Sequence, residues 1–141
     1  MNTIQKIKLQ DTHSYTLTFT KEMTENYAKL TGDYNLAHMD IEYAKTTIFK
    51  DRIVHGMLVA SMFSKIFGMD YPGLGSIYIR QNIKFKRPVY FEDTIEAKVI
   101  VREINYERNR VVFDCVSINQ RGEVVIEGEA EIMPPKEESN Q

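Results

Sequence analysis

The sequence contains one cysteine and no tryptophan in its 141 residues. A single cysteine cannot form a disulfide within the chain, and it excludes a zinc site built from cysteines. The longest apolar stretch, near residues 57–63, is far shorter than the roughly 20 residues that a membrane helix needs. Residues 1–6 are polar and mixed, unlike the apolar core of a signal peptide. We therefore expect a cytoplasmic protein with no membrane segment.

The chain also has little excess charge of either sign. Its 18 Lys and Arg residues nearly balance 20 Asp and Glu residues, for a net charge of −2. Because there is no basic arm or Lys/Arg-rich run, we expect no nucleic-acid partner. With 43% hydrophobic residues, a chain of this length can bury one sizeable core. We predict a single domain over 1–141, with its core at about 14–133, a loose segment or marginal strand at 1–12 and a disordered tail at 134–141.

The first half of the chain reads as a strand followed by a helix. Apolar and polar residues alternate over 14–19, which is typical of a half-buried strand. Thr20 is a good N-cap residue for a helix that begins directly after it. In that helix Met23, Tyr27 and Leu30 recur at helical spacing, and we expect this stripe in the core.

The second half changes to a period of two. Alternating segments occupy 77–86, 95–102, 111–118 and 124–132. Arg121-Gly122 lies between the last two segments, as in a hairpin turn. Since short links join all of these strands, we expect them to be antiparallel neighbours in sequence order.

Between the halves lies a helical stretch, 54–67, that is apolar on nearly every side and that Gly68 is expected to end. A helix of this kind is normally buried. About five antiparallel strands and one such helix have a simple solution, in which the sheet curls round the helix. The predicted class is therefore α+β, with an antiparallel sheet wrapped round a long central helix.

Polar side chains cluster just before this helix. Asp33, Asn35 and His38 follow the helix stop Gly32 on a compact loop that ends at Asp40, the N-cap of a short segment. A carboxylate and an imidazole that converge across a loop can perform acid–base chemistry on a water molecule. The alternative is that Asp and Asn only form the turn and that the histidine is structural.

Gly56 lies in the first turn of the apolar helix. Its backbone N–H is exposed there at the positive end of the helix dipole, where a negatively charged oxygen is stabilised. The alternative is that glycine is needed at this position only for close backbone packing.

Several motifs in order resemble one known family. They read TGDYNLAHMD at 31–40, IVHGML at 53–58, PGLGSIY at 72–78, FKRPV at 85–89 and DT at 93–94. This pattern is similar to the (R)-specific enoyl-CoA hydratases of the MaoC-like dehydratase group, and the resemblance covers about 14–133. It implies a hot-dog fold, in which the sheet wraps round the central helix, and a homodimer with active sites at the subunit junction.

One position departs from the family pattern. The family usually has proline directly after the asparagine, where this chain has Leu36. Proline would stiffen the loop. Because Asp33, Asn35 and His38 all remain, the change bears on loop rigidity more than on chemistry.

The resemblance also implies roles for the loop residues. Asp33 and His38 would hold a water and manage its protons, with the formal base left open between them. Asn35 would orient the loop or the water, and the N–H of Gly56 would bind the thioester oxygen. His55 is expected to cap or pack rather than to catalyse. No cofactor and no metal is expected.

Two groups of residues are candidates for substrate binding. Ser64 and Phe67 fall at positions that match the family's acyl pocket, and the bulk of Phe67 predicts a preference for short acyl chains. The alternative is that Phe67 belongs to the core. Arg80, Lys84 and Lys86 lie on or beside one polar strand face and would attract coenzyme A phosphates or an acidic acyl-carrier protein, the alternative being a solvated face.

The leading function is therefore the reversible hydration of trans-2-enoyl-CoA to (R)-3-hydroxyacyl-CoA. The first alternative is a non-catalytic or regulatory domain that binds acyl thioesters. The others are a 3-hydroxyacyl-carrier-protein dehydratase, which would act on the same chemistry with another carrier, and a thioesterase, for which this loop is not the usual arrangement.

Overall fold

The computed structural model describes residues 1–137. It contains five strands, β1 (Thr12–Thr18), β2 (Ile77–Phe85), β3 (Thr94–Asn105), β4 (Arg110–Ile118) and β5 (Val124–Met133). Four helices precede β2: α1 (Lys21–Thr31), α2 (Leu36–Met39), α3 (Ile41–Ala44) and α4 (Gly56–Lys65). In the described part of the chain, none of the helices is long and apolar enough to cross a membrane.

The strands form one antiparallel sheet in the order β1-β3-β4-β5-β2. The two hairpins between β3, β4 and β5 follow the predicted sequence order, and Gly122 turns the second one with a φ of 77°. The expectation that β2 lies beside β3 is wrong, because β2 pairs with β5 and β1 takes the place beside β3. The connection after β2 is not a tight turn. Val89, which lies in this connection, accepts a hydrogen bond from the N–H of Val54, in the segment before α4.

The central helix lies on the inner face of the curled sheet. Its buried face contributes Val59, Met62 and Phe63, and the core also includes inward-facing residues of β3, β4 and β5. The opposite face, which includes Met57, is exposed in a single chain. Burial on nearly every side was therefore the wrong expectation, because the sheet covers only one face of the helix.

The helix also ends later than its sequence predicts. A π-helical turn, Ile66–Asp70, continues α4, and Gly68 lies inside it instead of ending the helix. The N–H of Tyr71 donates to the carbonyl oxygen of Ile66 at 2.8 Å, which closes this wider turn.

Residues near both ends of the described range pack more firmly than predicted. Ile4 and Ile7 are buried in the core on either side of a short 3-10 turn, so the segment 1–12 is not loose and the core begins before residue 14. Pro134 and Pro135 are buried as well, which contradicts disorder from residue 134 onwards. Residues 138–141 of the predicted tail lie outside the described residues.

Helix α1 begins as predicted but faces the core differently. Thr20 is its N-cap and accepts from the N–H of Met23 at 3.2 Å. Thr24 and Ala28 fill the buried face, whereas Leu30 is 84% exposed. The predicted core stripe is wrong at Leu30 because the face that meets the core is rotated toward positions 24 and 28.

Candidate active site

Local capping builds the loop that carries the polar residues. Helix α1 ends at Gly32, which adopts a φ of 81° and donates to the carbonyl of Ala28. Asn35 caps α2, since its Oδ1 accepts from the N–H of Ala37 at 3.0 Å. His38 therefore projects from a short helix and not from the loop itself. Asn35 orients this segment through its side chain, as an N-cap residue does.

The hydrogen bond of His38 determines which ring nitrogen carries its proton. Nδ1 lies 2.8 Å from the carbonyl oxygen of Ile53, and a carbonyl oxygen can only accept. In the neutral ring Nε2 therefore keeps its lone pair. Burial lowers the pKa of His38 below its ordinary value, partly opposed by the bond to Ile53. The ring is thus held neutral, with one nitrogen ready to accept a proton.

The structure brings Asp33 and His38 together at the half-exposed mouth of the loop. A carboxylate oxygen of Asp33, a ring nitrogen of His38 and a ring nitrogen of His55 all lie within 4.8 Å of one another. A single water that makes bonds of about 2.8 Å to two acceptors spans about 4.6 Å between them. The Asp33 carboxylate and the His38 ring, which lie within 4.8 Å of each other, are therefore close enough for one water to bridge them.

His55 lies beneath both residues. Its side chain is only 2% exposed, and although it is the N-cap residue of α4 it makes no side-chain cap bond. Its Nε2 donates to the carbonyl oxygen of Asp33 at 3.0 Å, and its ring stacks on His38 with centroids 3.9 Å apart. The packing role predicted for His55 is confirmed, whereas a capping role is wrong.

A group of one carboxylate and two imidazoles also resembles the ligands of a metal ion. However, a nitrogen that donates a proton to a carbonyl oxygen has no lone pair left for a cation. Nε2 of His55 and Nδ1 of His38 both make such bonds. The bond from Nε2 of His55, the nitrogen that lies 4.0 Å from the Asp33 carboxylate, leaves that carboxylate and Nε2 of His38 as free donors, fewer than the roughly three or four of a typical protein metal site.

Arg52 holds the other side of His38 and has no signal in the sequence. Its Nε donates to the carbonyl oxygen of His38 at 2.6 Å, and the whole residue is only 9% exposed. Its guanidinium lies 3.8 Å from a carboxylate oxygen of Glu25 and 5.0 Å from the ring centroid of Phe91. A buried arginine of this kind fixes α2 against α1.

Gly56 is the first residue of α4, so its N–H has no acceptor within the helix. A Cβ at this position would lie 2.7 Å from Cε1 of Phe85, which is closer than real contacts allow. Close packing and an available donor, the two alternatives raised by the sequence, therefore both hold. Gly56 also borders an open cavity of about 360 Å³. The cavity is lined by Phe49, Ile53, Val54, Met57, Val59, Phe85, Lys86, Arg87, Pro88, Val89 and Ile126 as well.

Comparison with known proteins identifies the family. The profile of the MaoC like domain matches residues 4–125. The chain belongs to the MaoC-like family. It is 46% identical over 109 residues to an (R)-specific enoyl-CoA hydratase of Rhodospirillum rubrum, covering 77% of this chain and 75% of that protein. It is also 41% identical over 120 residues to a mitochondrial 3-hydroxyacyl-carrier-protein dehydratase of Solanum lycopersicum, covering 84% of this chain and 72% of the other.

A solved structure agrees with these relatives. The unliganded R-hydratase of Pseudomonas aeruginosa superposes with a TM-score of 0.89 at 36% identity, over 96% of this chain and 86% of that one. The α+β hot-dog fold implied by the sequence motifs is therefore confirmed.

The remaining predicted residues of this MaoC-like domain lie apart from the cavity at Gly56, except for Lys86, which lines it. Ser64 is exposed on α4. Phe67 is 1% exposed and packs against Tyr78 and Phe113, with ring centroids 5.3 and 4.8 Å away. The structure thus places Phe67 in the core, and its effect on acyl length stays a prediction.

The basic residues of the strand face are largely paired with acidic ones. Arg80 lies 3.1 Å from Glu129 on β5. Lys84 stands opposite Glu127 in the sheet register, and Nζ of Lys86 lies 3.6 Å from the same carboxylate. The alternative of a solvated, salt-bridged face fits Arg80 better than a phosphate site does, whereas Lys86 is beside the cavity.

Proposed function

We propose that this protein is an (R)-specific enoyl-CoA hydratase, a hydro-lyase that reversibly adds water to trans-2-enoyl thioesters. The observation that carries the proposal is the pair formed by the Asp33 carboxylate and the neutral His38 ring across a gap that suits one water. The relatives named as (R)-specific enoyl-CoA hydratases support it.

Asp33 and His38 would act on the attacking water together. A water between them donates one hydrogen bond to the carboxylate and one to the lone pair of Nε2. As its oxygen bonds to C3 of the enoyl group, one proton passes to this pair, and the pair returns a proton to C2. Water held on one side of the bound substrate attacks one face only, so a single stereoisomer forms.

Gly56 would stabilise the charge that develops during this attack. Electron density moves from the double bond onto the thioester oxygen as C3 accepts the water. The free N–H in the first turn of α4 points into the region where the helix dipole is positive, which favours that oxygen in the transition state more than in the substrate.

The function is tested by following crotonyl-CoA with the purified protein. Loss of the enoyl absorbance without release of free thiol is expected. Oxidation of the product by an (R)-specific 3-hydroxyacyl-CoA dehydrogenase, and not by an (S)-specific one, identifies the stereochemistry. Thiol release would identify a thioesterase instead, and binding of crotonyl-CoA without turnover would identify a non-catalytic binding domain.

The carrier of the acyl group is a second question, because one relative is named for an acyl-carrier-protein substrate. We propose coenzyme A as the carrier for this chain. Lys86 borders the cavity, where a phosphate would compete with its 3.6 Å contact to Glu127, whereas Arg80 is held by a shorter salt bridge away from the cavity. Comparing kcat/KM for crotonyl-CoA and crotonyl-carrier protein decides between them.

A homodimer is the proposed assembly. Strand β2 is at the edge of the sheet, and Ile77, Ile79 and Phe85 on it are about half exposed. A long exposed edge strand with apolar side chains is a site for pairing with another chain. A second copy would cover this edge and the exposed face of α4. Light scattering during size-exclusion chromatography would measure the mass of the assembly.

We propose the cytoplasm as the compartment of this protein. Its cysteine Cys115 is buried and unpaired, in keeping with a reducing compartment.

A further inference from the structure

We propose that His55 is a positioning residue that aligns Asp33 and His38 as one unit. The inference rests on the proposed function and adds a third residue to it. From the sequence, His55 is expected only to cap or pack, and its side chain is 2% exposed and does not line the cavity at Gly56.

The first observation is the pair of contacts that the ring makes. Its face stacks on the His38 ring at 3.9 Å with an interplanar angle of 28°. Its edge donates from Nε2 to the carbonyl oxygen of Asp33 at 3.0 Å, and the same nitrogen lies 4.0 Å from the Asp33 carboxylate. The His55 side chain therefore contacts both Asp33, in the loop after α1, and His38, in α2.

The second observation is an unpaired nitrogen. Nδ1 of His55 is buried and has no hydrogen-bond partner within residues 1–137. Leaving a polar atom buried and unpaired is unfavourable, and a phenylalanine ring would fill a similar space without that cost. Packing alone therefore does not account for an imidazole. What an apolar ring cannot supply is the donor to the Asp33 carbonyl.

The consequence is geometric control of the water site. If the Asp33 backbone moves, its carboxylate moves with it, and a displacement of about 1 Å can cost on the order of 10²-fold in rate. His55 directly precedes Gly56 in the chain, so the same residue sets the start of α4 relative to the loop. Positioning of this kind affects turnover more than substrate affinity.

Two variants separate the two contacts. His55→Phe keeps a ring beneath His38 and removes the donor, whereas His55→Gln keeps a side-chain N–H and removes the ring. We expect kcat to fall about 10- to 100-fold in His55→Phe with KM within about threefold, and His55→Gln to recover part of the loss. His13→Phe is the matched control, because His13 also stacks on an aromatic ring, Tyr71 at 4.2 Å, but on β1. It should leave kcat unchanged.

Adding His55→Phe to the Asp33→Asn variant distinguishes a positioning role from general support of the fold. When Asp33 is already Asn, the residue that His55 aligns is inactive, so adding His55→Phe should cost little further activity. An equal fold loss in both backgrounds overturns the proposal, as does wild-type kcat in His55→Phe. If both His55 variants fail to fold, as judged by circular dichroism, the role is structural and the proposal is also overturned.

The inference remains testable if the wild-type protein proves inactive on crotonyl thioesters, an outcome that removes the proposed function alone. Imidazole nitrogen and ring-proton shifts of His38 then serve as the readout. His55→Gln should remove the ring-current shift on His38, and His55→Phe should preserve it while altering the amide signals near Asp33. Unchanged His38 and loop signals in both variants would show that His55 aligns neither residue.

Discussion

His38 is tied to Ile53 by a 2.8 Å hydrogen bond from Nδ1 to a backbone carbonyl oxygen. This bond joins α2 to the segment that leads into α4, so it sets the angle of the imidazole relative to the helix N-terminus. It also leaves the lone pair of Nε2, and not that of Nδ1, free to accept a hydrogen bond from the proposed water. A neutral imidazole has a donor on one edge and an acceptor on the other, which suits both this bond and the water of the proposed function.

The first prediction concerns pH. Burial lowers the pKa of His38 below the value of about 6.5 expected for an unfolded chain. The acid limb of kcat/KM should accordingly lie below about pH 6.5. The unfolded state binds more protons than the folded state between the two pKa values, so the free energy of unfolding should decrease as the pH falls through this window.

The measurement is a set of thermal melts between pH 5 and 8. Above about pH 6.5 the His38 contribution to stability is complete, and below it the contribution is lost. In His38→Gln the drop in melting temperature on acidification should be smaller than in the wild type. An equal drop in both proteins would assign the pH dependence to other groups.

The second prediction concerns the pair itself. Asp33→Asn or His38→Ala should lower kcat by about 10²- to 10⁴-fold, the range for acid–base groups. Because both act on one water, the double variant should lose little more than the worse single one. Multiplicative losses would indicate separate steps, and near-normal activity of either single variant would refute the assignment.

The third prediction concerns Gly56. In Gly56→Ala the new methyl group meets the ring of Phe85, a contact with the end of a side chain and not with the backbone, so the melting temperature should change little. The methyl group would obstruct the N–H, and we expect kcat/KM to fall by about 10²-fold, as for the loss of one oxyanion donor. Gly68→Ala is the control, since nothing lies within 4 Å of its added Cβ.

A double variant shows which contact matters for Gly56. Removing the Phe85 side chain relieves the clash but does not clear the N–H. Gly56→Ala should therefore stay impaired when Phe85→Ala is added. Recovery to the activity of Phe85→Ala alone would mean that glycine is needed only for close packing.

The fourth prediction concerns Leu36, where the family pattern has proline. Leu36 is the first residue of α2, and Asn35 before it has a φ of −50° and a ψ of 126°. Proline is favoured at the first helical position and requires an extended residue before it. Leu36→Pro should therefore raise the free energy of unfolding by about 0.4–1 kcal/mol, through the unfolded chain. Leu36→Ala, compared by thermal melting, controls for loss of the half-exposed side chain, and a lower melting temperature for the proline variant would contradict the prediction.

The fifth prediction concerns acyl length. If Phe67 limits the pocket, Phe67→Ala should raise the ratio of kcat/KM for octenoyl-CoA to that for crotonyl-CoA. Its burial against Phe113 means that truncation should also cost about 3–5 kcal/mol of stability. Phe63→Ala on the same helix is the matched control, because Phe63 is equally buried. A ratio that is unchanged, or that rises equally in both variants, would mean that Phe67 does not limit acyl length.

Local features of the site could be predicted from the sequence because they depend on neighbouring residues. Thr20, Gly32 and Asp40 act where their capping preferences indicate. The pairing of β2 with β5 could not be predicted from short links, since it depends on contacts between distant parts of the chain.

The same limit explains which site residues were missed. Arg52 contacts His38, and His55 contacts Asp33, across long stretches of sequence that no periodicity connects. Burial of a charged side chain such as Arg52 is visible only when the elements around it are in place. The sequence therefore identifies the candidate catalytic residues Asp33 and His38, whereas the contacts that Arg52 and His55 make with them are visible only in the fold.

The candidate chemistry comes from one uninterrupted part of the chain, Asp33 to Gly56, whereas four of the five strands begin later, at Ile77. Because the four strands from Ile77 onwards contain none of Asp33, Asn35, His38 and Gly56, substitutions within 33–56 could change the chemistry while the sheet stays the same; we call this segment the cassette. A duplicated gene could become a silent thioester-binding protein, or acquire a new reaction, by changes within the cassette alone. Divergence of activity in such a lineage would then leave almost no trace in the strands.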